Sequence, residues 1–244
     1  MNVIITGAAG GFGRAMAIKC ARRGYNIFLT DINENGLLSL KLGLERQYGV
    51  AVTVKNCDLT DGRDVDKLIS AIDRYNIRSD MLLNVAGIDF EGGFQSKERE
   101  NVAKIVSLND TATLRITHAV LQRRRENNSF YAVFVSSLAS MFLMPLKATY
   151  AASKHFLLDF ALALRQELKH ENANVLVICP GGMITTAENA AAIEAQGFFG
   201  CITTNPLEKV ARKTIDRVLV GKAKYIPGSL TAFFQCLVKF FLAV

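Results

Sequence analysis

The stretch TGAAGGFGRAMA at residues 6–17 decides the fold, and it directly follows the apolar run VII at residues 3–5. It has the pattern of a strand, a glycine-rich turn and the start of a helix, a geometry that binds phosphate groups. The glycines let the backbone approach a pyrophosphate, and the free N–H groups of the helix start attract its charge. The spacing is Gly7-xxx-Gly11-x-Gly13 rather than GxGxxG, and alone it is also compatible with any tight strand-to-helix turn.

Short apolar runs alternate with helical periodicity along the chain. The runs lie at residues 3–5, 27–29, 51–54, 81–83, 132–135 and 175–178. Between them, apolar residues recur at helical spacing, as at Val65, Leu68, Ile69 and Ile72. Continuous apolar strands separated by helices predict a parallel sheet covered on both faces, because each crossover lays a helix on the sheet. The sequence therefore predicts a single doubly wound α/β domain over residues 1–228.

The composition is that of a globular protein with a large core. Half of the 244 residues are hydrophobic and 21% are charged. The net charge of +7 is spread along the chain, and the one dense run, RRR at residues 123–125, follows an apolar-periodic segment. We interpret that run as a helix end rather than as a nucleic-acid contact. The five cysteines are scattered, so we expect buried free thiols and no metal site.

The two ends of the chain bear on location. Only three aliphatic residues precede the first glycines, too few for a signal peptide, so we expect a cytoplasmic protein. The last stretch, SLTAFFQCLVKFFLAV at residues 229–244, places phenylalanines at helical spacing, but its 16 residues are fewer than the roughly 20 that span a membrane. Three alternatives stay open for this helix: packing on the domain, packing on another subunit, or shallow insertion at a membrane surface.

An acidic residue ends the second predicted strand. Asp31 lies 24 residues after Gly7, where a carboxylate can accept hydrogen bonds from the adenosine ribose and would repel the 2′-phosphate of NADP. Gly10, Ile32 and Asn33 supply no compensating cation. The sequence therefore favours NAD over NADP, with a helix N-cap as the ordinary alternative for Asp31.

The third and fourth predicted strands end in two further turns. Asp58-Leu59 follows the third, where a carboxylate can meet the adenine amino group, and Asn84-Val85-Ala86-Gly87 follows the fourth. Each alone is an ordinary strand-end turn. In series, at the carboxyl ends of parallel strands, they mark the crevice where such sheets bind ligands.

With these motifs, the sequence resembles the short-chain dehydrogenase/reductase family from residue 3 to about residue 227. The resemblance rests on the glycine loop, Asp31, Asp58, NVAG at residues 84–87, Asn109, Ser137, YAASK at residues 150–154, and Pro180-Gly181 followed by Thr185. It implies a Rossmann-type sheet of about seven strands. The family usually has NNAG where this chain has NVAG, a departure that leaves Asn84 in place.

The resemblance also implies a set of residues for NAD. They are Gly7, Gly11, Phe12, Gly13, Asp31, Asp58, Leu59, Asn84, Ala86, Gly87, Tyr150, Lys154, Pro180, Gly181 and Thr185.

Tyr150 and Lys154 are the central catalytic candidates. Four residues apart on a predicted helix, they share one face. A nearby ammonium, joined by the positive nicotinamide ring, could lower the pKa of the phenol, so that Tyr150 exchanges a proton with an alcohol or ketone. Taken alone, such a pair is an ordinary contact on a helix surface.

Ser137 and Asn109 complete the predicted catalytic set. Ser137 follows the fifth predicted strand, 13 residues before Tyr150, and its hydroxyl can hold the substrate oxygen. Ser136 is the competitor, and the family spacing favours Ser137. In the family, Asn109 would hold a water that links Lys154 to solvent, and its alternative is an asparagine on a helix surface.

The expected substrate is a hydrophobic secondary alcohol or ketone, steroid-like or fatty-acyl-like. The residues expected to ring the site are apolar: Ile88, Phe90, Leu138, Met141, Phe142, Met144 and Met183. By resemblance, residues 186–204 form a substrate lid, and the helices at about 101–126 and 149–170 build a homodimer or homotetramer. The alternatives are an epimerase or dehydratase, a silent NAD-binding protein, and a membrane-associated lipid ketone reductase.

Overall fold

Parallel strands dominate the computed structural model, which describes residues 1–185 and 204–228. Within these residues seven strands form one sheet in the order β3-β2-β1-β4-β5-β6-β7, and every pairing is parallel. The strands are β1 (Asn2–Thr6), β2 (Asn26–Asp31), β3 (Val52–Asn56), β4 (Met81–Asn84), β5 (Phe130–Val135), β6 (Ala173–Ile178) and β7 (Lys224–Tyr225). The predicted Rossmann-type sheet is confirmed. The predicted tail helix at 229–244 and nearly all of the predicted lid lie outside the described residues.

Helices connect the strands and cover the sheet. They are α1 (Gly11–Ala21), α2 (Glu34–Tyr48), α3 (Gly62–Arg74), α4 (Arg99–Val106), α5 (Thr113–Leu121), α6 (Ala148–Glu167) and α7 (Leu207–Leu219). A π-helical turn, Ser107–Ala112, joins α4 to α5. The predicted helix at 101–126 is therefore interrupted, and it ends at Leu121.

Two hydrophobic cores lie on opposite faces of the sheet. Neighbouring residues of β1 divide between them, because successive side chains of a strand point to opposite faces. Ile5 packs with residues of α1, α2 and α7, whereas Ile4 packs with residues of α3, α5 and α6. Both isoleucines are at most 1% exposed, and burying one such side chain contributes about 1.5–3 kcal/mol.

The arginine run after α5 serves the helix end, as predicted. Arg123 Nη1 donates to the Ala119 carbonyl oxygen at 2.9 Å, which satisfies an acceptor in the last turn. Arg123 also pairs with Asp73, and Arg124 pairs with Glu171 at 2.6 Å. The run is thus neutralised by carboxylates of neighbouring elements.

Three of the five cysteines lie in the described residues, and Cys20, Cys57 and Cys179 are buried free thiols, as predicted. Burial raises the pKa of Cys20 and of Cys57 to about 12. The part of the chain that the structure describes contains no group of His, Cys, Asp or Glu side chains fit to hold a metal ion. Among the same residues, no helix is both long enough and apolar enough to cross a membrane.

Candidate active site

The predicted site residues meet at the carboxyl edge of the sheet. The strand order changes direction at β1, since β2 and β3 lie on one side of it and β4 to β7 on the other. Ligands of open α/β sheets bind in the crevice at such a point. The glycine loop after β1 and the turns after β4, β5 and β6 all border this crevice.

The glycine loop has no room for side chains at its key positions. Gly7 has a φ of +64°, and a Cβ there would lie 2.7 Å from the backbone of Ala86. A Cβ on Gly13 would overlap the Gly7 carbonyl oxygen, and one on Gly11 would lie 2.8 Å from the carbonyl oxygen of Thr185. The backbone of Thr185, a predicted cofactor contact, therefore packs against the start of α1.

The start of α1 fits a pyrophosphate. Its N-cap, Gly10, supplies no side-chain hydrogen bond, and its first turn has no acidic residue. The first N–H groups of a helix lack intrahelical partners and carry the positive end of its dipole. Together with the space that the glycines leave, this is a suitable cradle for the phosphates of a dinucleotide.

Asp31 is tied to the glycine loop rather than capping a helix. Its Oδ2 accepts a hydrogen bond from Ala9 N at 2.9 Å, and its Oδ1 accepts one from Asn33 N at 3.0 Å. The N-cap of α2 is Asn33, whose side chain accepts from Gly36 N. The helix-cap alternative for Asp31 is therefore wrong. Arg14, a cation absent from the sequence argument, donates from Nε to the Ala9 carbonyl oxygen at 2.8 Å.

The turns after β3 and β4 are held by their own side chains. Asp58 Oδ1 accepts from the backbone N–H and the hydroxyl of Thr60, at 2.9 and 2.7 Å. Asn84 is 3% exposed and donates from Nδ2 to Thr117 Oγ1 at 3.0 Å, so its side chain holds β4 to α5. Ala86 N donates to Thr6 Oγ1 at 3.2 Å, which ties the turn to the end of β1. Contacts of these residues with a cofactor stay predictions.

Ser137, Tyr150 and Lys154 lie together beside the crevice. The Ser137 hydroxyl lies close enough to the Tyr150 phenol to lower its pKa, and Lys154 Nζ lies 5.6 Å from the centroid of the Tyr150 ring. Lys154 Nζ donates to the Val135 carbonyl oxygen at the end of β5, at 3.0 Å. Ser136 instead donates from Oγ to the Lys154 carbonyl oxygen at 2.6 Å. Ser136 therefore anchors α6, and Ser137 is the hydroxyl that reaches Tyr150.

Burial controls the protonation of the tyrosine and the lysine. It raises the pKa of Tyr150, and the Ser137 hydroxyl and the charge of Lys147 oppose that effect only in part. Burial lowers the pKa of Lys154 to about 8. The sequence predicted that Lys154 and a bound nicotinamide ring together lower the pKa of Tyr150, whereas burial raises it.

Asn109 is a buried connector in the π turn. Its Oδ1 accepts from Ile88 N at 2.9 Å, and its Nδ2 donates to the Ile88 carbonyl oxygen and to Ser153 Oγ, both at 3.0 Å. Ser153 Oγ in turn donates to the Tyr150 carbonyl oxygen at 2.8 Å. Asn109 is fully buried, so the alternative of an asparagine on a helix surface is wrong. It links the loop after β4 to the helix that carries Tyr150.

Several residues near Tyr150 were missed by sequence reasoning. Lys147 Nζ lies 2.6 Å from Asp89 Oδ2, 2.9 Å from Glu91 Oε2 and 5.9 Å from the Tyr150 ring centroid. Ser153 lies inside the YAASK motif, but nothing in the sequence indicates that it contacts Asn109, which lies 44 residues before it. Asp110, next to Asn109, is nearly buried. The sequence around Asp110 gives no signal for it, since Ser107, Thr111 and Thr113 are polar as well.

The predicted apolar ring divides into two groups. The half-buried residues in the loops after β4 and β5 are Ile88, Phe90, Leu138, Phe142 and Met144. Met141 and Met183 instead pack against the two hydrophobic cores.

Fold and site together define a Rossmann-type oxidoreductase with room for a nicotinamide dinucleotide. The chain belongs to the short chain dehydrogenase family, whose model matches residues 1–196. A solved short-chain dehydrogenase from Sphingobium yanoikuyae, in complex with NADPH, superposes with a TM-score of 0.86 at 25% identity. That match covers 99% of this chain and 94% of the other. Members of this family bind a nicotinamide cofactor and a small-molecule substrate, and they are typically oligomeric.

Two similar sequences are named as reductases of oxo compounds. The very-long-chain 3-oxoacyl-CoA reductase of Laccaria bicolor is 31% identical over 176 residues, which cover 70% of this chain and 52% of the relative. The 3-ketodihydrosphingosine reductase of Bos taurus is 30% identical over 186 residues, which cover 73% and 55%. The chain thus spans about half the length of each of these relatives.

Proposed function

We propose that this chain is an NAD(H)-dependent oxidoreductase that interconverts a hydrophobic secondary alcohol and its ketone. The observation that carries the proposal is the placement of Lys154 Nζ 5.6 Å from the Tyr150 ring centroid, with the Ser137 hydroxyl beside the same phenol. These three side chains border the crevice that the glycine loop also borders. The overall reaction is alcohol plus NAD⁺ to ketone, NADH and a proton, and it runs in either direction.

Each protein group has one task in this reaction. Ser137 Oγ holds the substrate oxygen and stabilises the negative charge that develops on it. Tyr150 gives the phenolic proton to that oxygen in reduction, or takes the hydroxyl proton in oxidation. The Lys154 ammonium favours the ionised phenol through its positive charge. When bound, the nicotinamide ring supplies the hydride acceptor or donor.

Asp31 supports NAD as the cofactor. Its carboxylate contacts the glycine loop through Ala9 and would lie close to a 2′-phosphate on the adenosine ribose. Arg14 contacts the same residue, Ala9, from α1, and the solved relative from Sphingobium yanoikuyae holds NADPH. Dissociation constants for NADH and NADPH, measured by nucleotide fluorescence, decide between the two. Tighter binding of NADPH contradicts the choice of NAD.

The substrate is proposed to be a ketone with a long apolar part. The half-buried Ile88, Phe90 and Phe142 support this, since apolar side chains at a site mouth favour an apolar ligand. The two relatives named as reductases of a very-long-chain 3-oxoacyl-CoA and of 3-ketodihydrosphingosine support the fatty-acyl-like class. A screen should therefore include 3-oxoacyl, sphingoid and steroid ketones.

A membrane-associated lipid ketone reductase is the second candidate, and the same two relatives favour it. In that case the segment 229–244 would bind a membrane surface. Flotation with liposomes, before and after deletion of residues 229–244, tests it. Equal flotation of both proteins contradicts this candidate and leaves the first one standing.

The central experiment compares Tyr150→Phe with Tyr75→Phe. The consumption of NADH is followed with the ketone panel. Tyr75 is 55% exposed at the end of α3, so its variant serves as a control for the loss of one phenol. We expect Tyr150→Phe to lose about 10²- to 10⁴-fold in kcat, because proton transfer to the ketone is lost. Full activity in Tyr150→Phe contradicts the proposed mechanism, and no turnover of any substrate by the wild type favours a silent NAD-binding protein.

A homodimer or homotetramer built on α4, α5 and α6 is proposed as well, and the lid is proposed for residues 186–204. Val106 on α4 and Phe156 on α6 support the interface, since they are 44% and 41% exposed. Analytical ultracentrifugation of the wild type and of Phe156→Asp tests it. A monomeric wild type contradicts it.

A further inference from the structure

A buried carboxylate beside Asn109 takes no part in the proposed hydride transfer. Asp110 lies in the π turn and is 9% exposed. Its Oδ1 is shielded from solvent and has no hydrogen-bond partner in the described part of the chain. Burying an ionised carboxylate without a partner is costly, so such groups are paired or neutralised in folded proteins. Asp110 therefore needs a compensating group nearby.

Lys154 is the buried cation whose charge acts on Asp110. Lys154 is 4% exposed, and Nζ donates to the Val135 carbonyl oxygen. An ammonium has three donors, so this one bond leaves donor capacity unused. The hydrogen bond from Asn109 to Ser153 joins the residue before Asp110 to the residue before Lys154. The π turn and α6 thus bring the two charged residues close enough for their charges to act on each other.

The space around Nζ is closed on the side of the loop after β4. A Cβ on Gly87 would lie 3.1 Å from both Lys154 Nζ and Asn109 Oδ1. The ammonium is therefore confined between β5, this loop and the π turn. Among the charges that act on Lys154, Asp110 has the largest effect, and it raises the pKa that burial lowers.

We propose that Asp110 is a positioning residue, the buried counter-ion that keeps the Lys154 ammonium charged and fixed beside Tyr150. This inference rests on the proposed function, because it assigns a partner to the proposed catalytic lysine. Asp110 does not touch the reacting atoms, and it acts only through Lys154.

Other ionisable groups also face the lysine. Asp89 and Cys179 raise the pKa of Lys154 as well, but more weakly than Asp110. Asp89 is already paired with Lys147 at 2.6 Å. Burial raises the pKa of the Cys179 thiol, so it is neutral at neutral pH. The phenol of Tyr150 is also neutral there, because its pKa is raised.

The two pKa values set the pH range in which Asp110 and Lys154 are both charged. Burial raises the pKa of Asp110 to about 6, with Lys154 opposing that effect. The pKa of Lys154 is about 8. Both groups are therefore charged between about pH 6 and pH 8. Below pH 6 the carboxylate is protonated, and the counter-ion is lost.

The first test reads Lys154 directly and needs no turnover. The protein is labelled with ¹³Cε-lysine, and the Lys154 signal is assigned by its loss in Lys154→Met. We expect Asp110→Asn to lower the pKa of Lys154 by about 1 unit or more, because an opposite charge has been removed. Asp159→Asn removes one exposed carboxylate from the same helix and should leave that pKa unchanged. Equal pKa values in wild type and Asp110→Asn overturn the inference.

Two further measurements cover a variant that fails to fold. Asp110→Glu keeps the charge and should restore the wild-type pKa of Lys154. In the wild-type protein itself, the Lys154 signal should carry a second, smaller step near pH 6, where Asp110 titrates. A single step with no inflection near pH 6 overturns the inference without any variant.

The enzyme assay is a separate readout. We expect kcat of Asp110→Asn to fall about threefold near pH 7.5, because lowering the pKa of Lys154 from about 8 by about one unit reduces the charged fraction of the lysine by about that factor, and KM to change little. The pH profiles of variant and wild type should converge below about pH 6. A lowered lysine pKa without turnover in any protein supports the counter-ion and contradicts the proposed function. A loss of kcat of the same size at every pH, with an unchanged lysine pKa, contradicts the counter-ion alone.

Discussion

Replacement of Gly13 by alanine tests whether the glycine loop is the nucleotide cradle. A Cβ at this position would overlap the Gly7 carbonyl oxygen and lie 2.8 Å from Ala8 Cα. Both obstacles are backbone atoms, so no side chain can rotate away, and the loop itself must move by roughly an ångström. Overpacking of this kind costs about 1–3 kcal/mol. For a domain of this size, 2 kcal/mol corresponds to a fall in Tm of about 4–8 °C.

Gly43→Ala is a matched control, and it is expected to raise the Tm where Gly13→Ala lowers it. Gly43 lies within α2, and a Cβ there would meet nothing within 4 Å. Alanine in a helix interior is favoured over glycine by about 1 kcal/mol, so Gly43→Ala should raise the Tm by about 2–4 °C.

Calorimetry measures the change in stability, and titration with NADH measures the change in cofactor affinity, so that the two can be compared in each variant. We expect Gly13→Ala to weaken NADH binding at least about tenfold, which is a loss of about 1.4 kcal/mol, and Gly43→Ala to leave it unchanged. The decisive comparison is between affinity and stability. If Gly13→Ala is destabilised but binds NADH with wild-type affinity, the loop is a tight structural turn and the nucleotide binds elsewhere.

Three further substitutions give outcomes with a defined sign. Asp31→Ser removes the carboxylate that would repel a 2′-phosphate, so the ratio of the NADPH to the NADH dissociation constant should fall at least about tenfold; an unchanged ratio refutes the role of Asp31. Asn109→Ala removes the side chain that binds the Ile88 N–H and carbonyl oxygen and should lower the free energy of unfolding, measured in urea, by about 2–4 kcal/mol. A loss below about 0.5 kcal/mol would show that these two hydrogen bonds contribute little to stability. Lys154→Met removes a buried ammonium whose pKa falls from 10.5 to about 8. Because the unfolded chain binds that proton more tightly, the wild type should lose about 2 kcal/mol relative to the variant as the pH falls from about 10 to 8. Parallel curves of Tm against pH for the two proteins would refute this.

The central strands could be predicted because burial on both faces of a parallel sheet leaves a continuous apolar run. All six predicted runs lie in β1 to β6, apart from Ala51 at the edge of one of them. β7 could not be predicted in this way, since it consists of Lys224–Tyr225 alone. Its place in the sheet comes from pairing with β6, a long-range contact that leaves no pattern in two residues.

The interruption between α4 and α5 had no sequence signal either. The π turn of six residues, Ser107–Ala112, shifts the helical phase over too short a stretch for apolar periodicity to reveal it. Its physical reason is visible only in the folded chain, where Asn109 binds the backbone of Ile88 and the hydroxyl of Ser153. The sequence motif named Asn109, but its partners come from two other elements.

The candidate site was predictable where a motif is local and not where it depends on packing. Ser137, Tyr150 and Lys154 stand at fixed spacings around one strand end and one helix. Asp110 meets Lys154 only because the π turn packs on α6. The raised pKa of Tyr150 has the same origin, since burial is a property of the whole fold and outweighs the effect of Ser137 on that pKa.

The protonation of the site at neutral pH is that of a proton donor. Burial raises the pKa of Tyr150 and lowers that of Lys154 to about 8, so the phenol keeps its proton and the ammonium is still charged at pH 7. This is the form that gives a proton to a ketone oxygen, with no prior ionisation. Oxidation of an alcohol starts from the ionised phenol, and that form needs additional positive charge beside Tyr150. For the proposed reaction, we therefore expect the proton transfer of ketone reduction to use Tyr150 in the form that it holds at neutral pH.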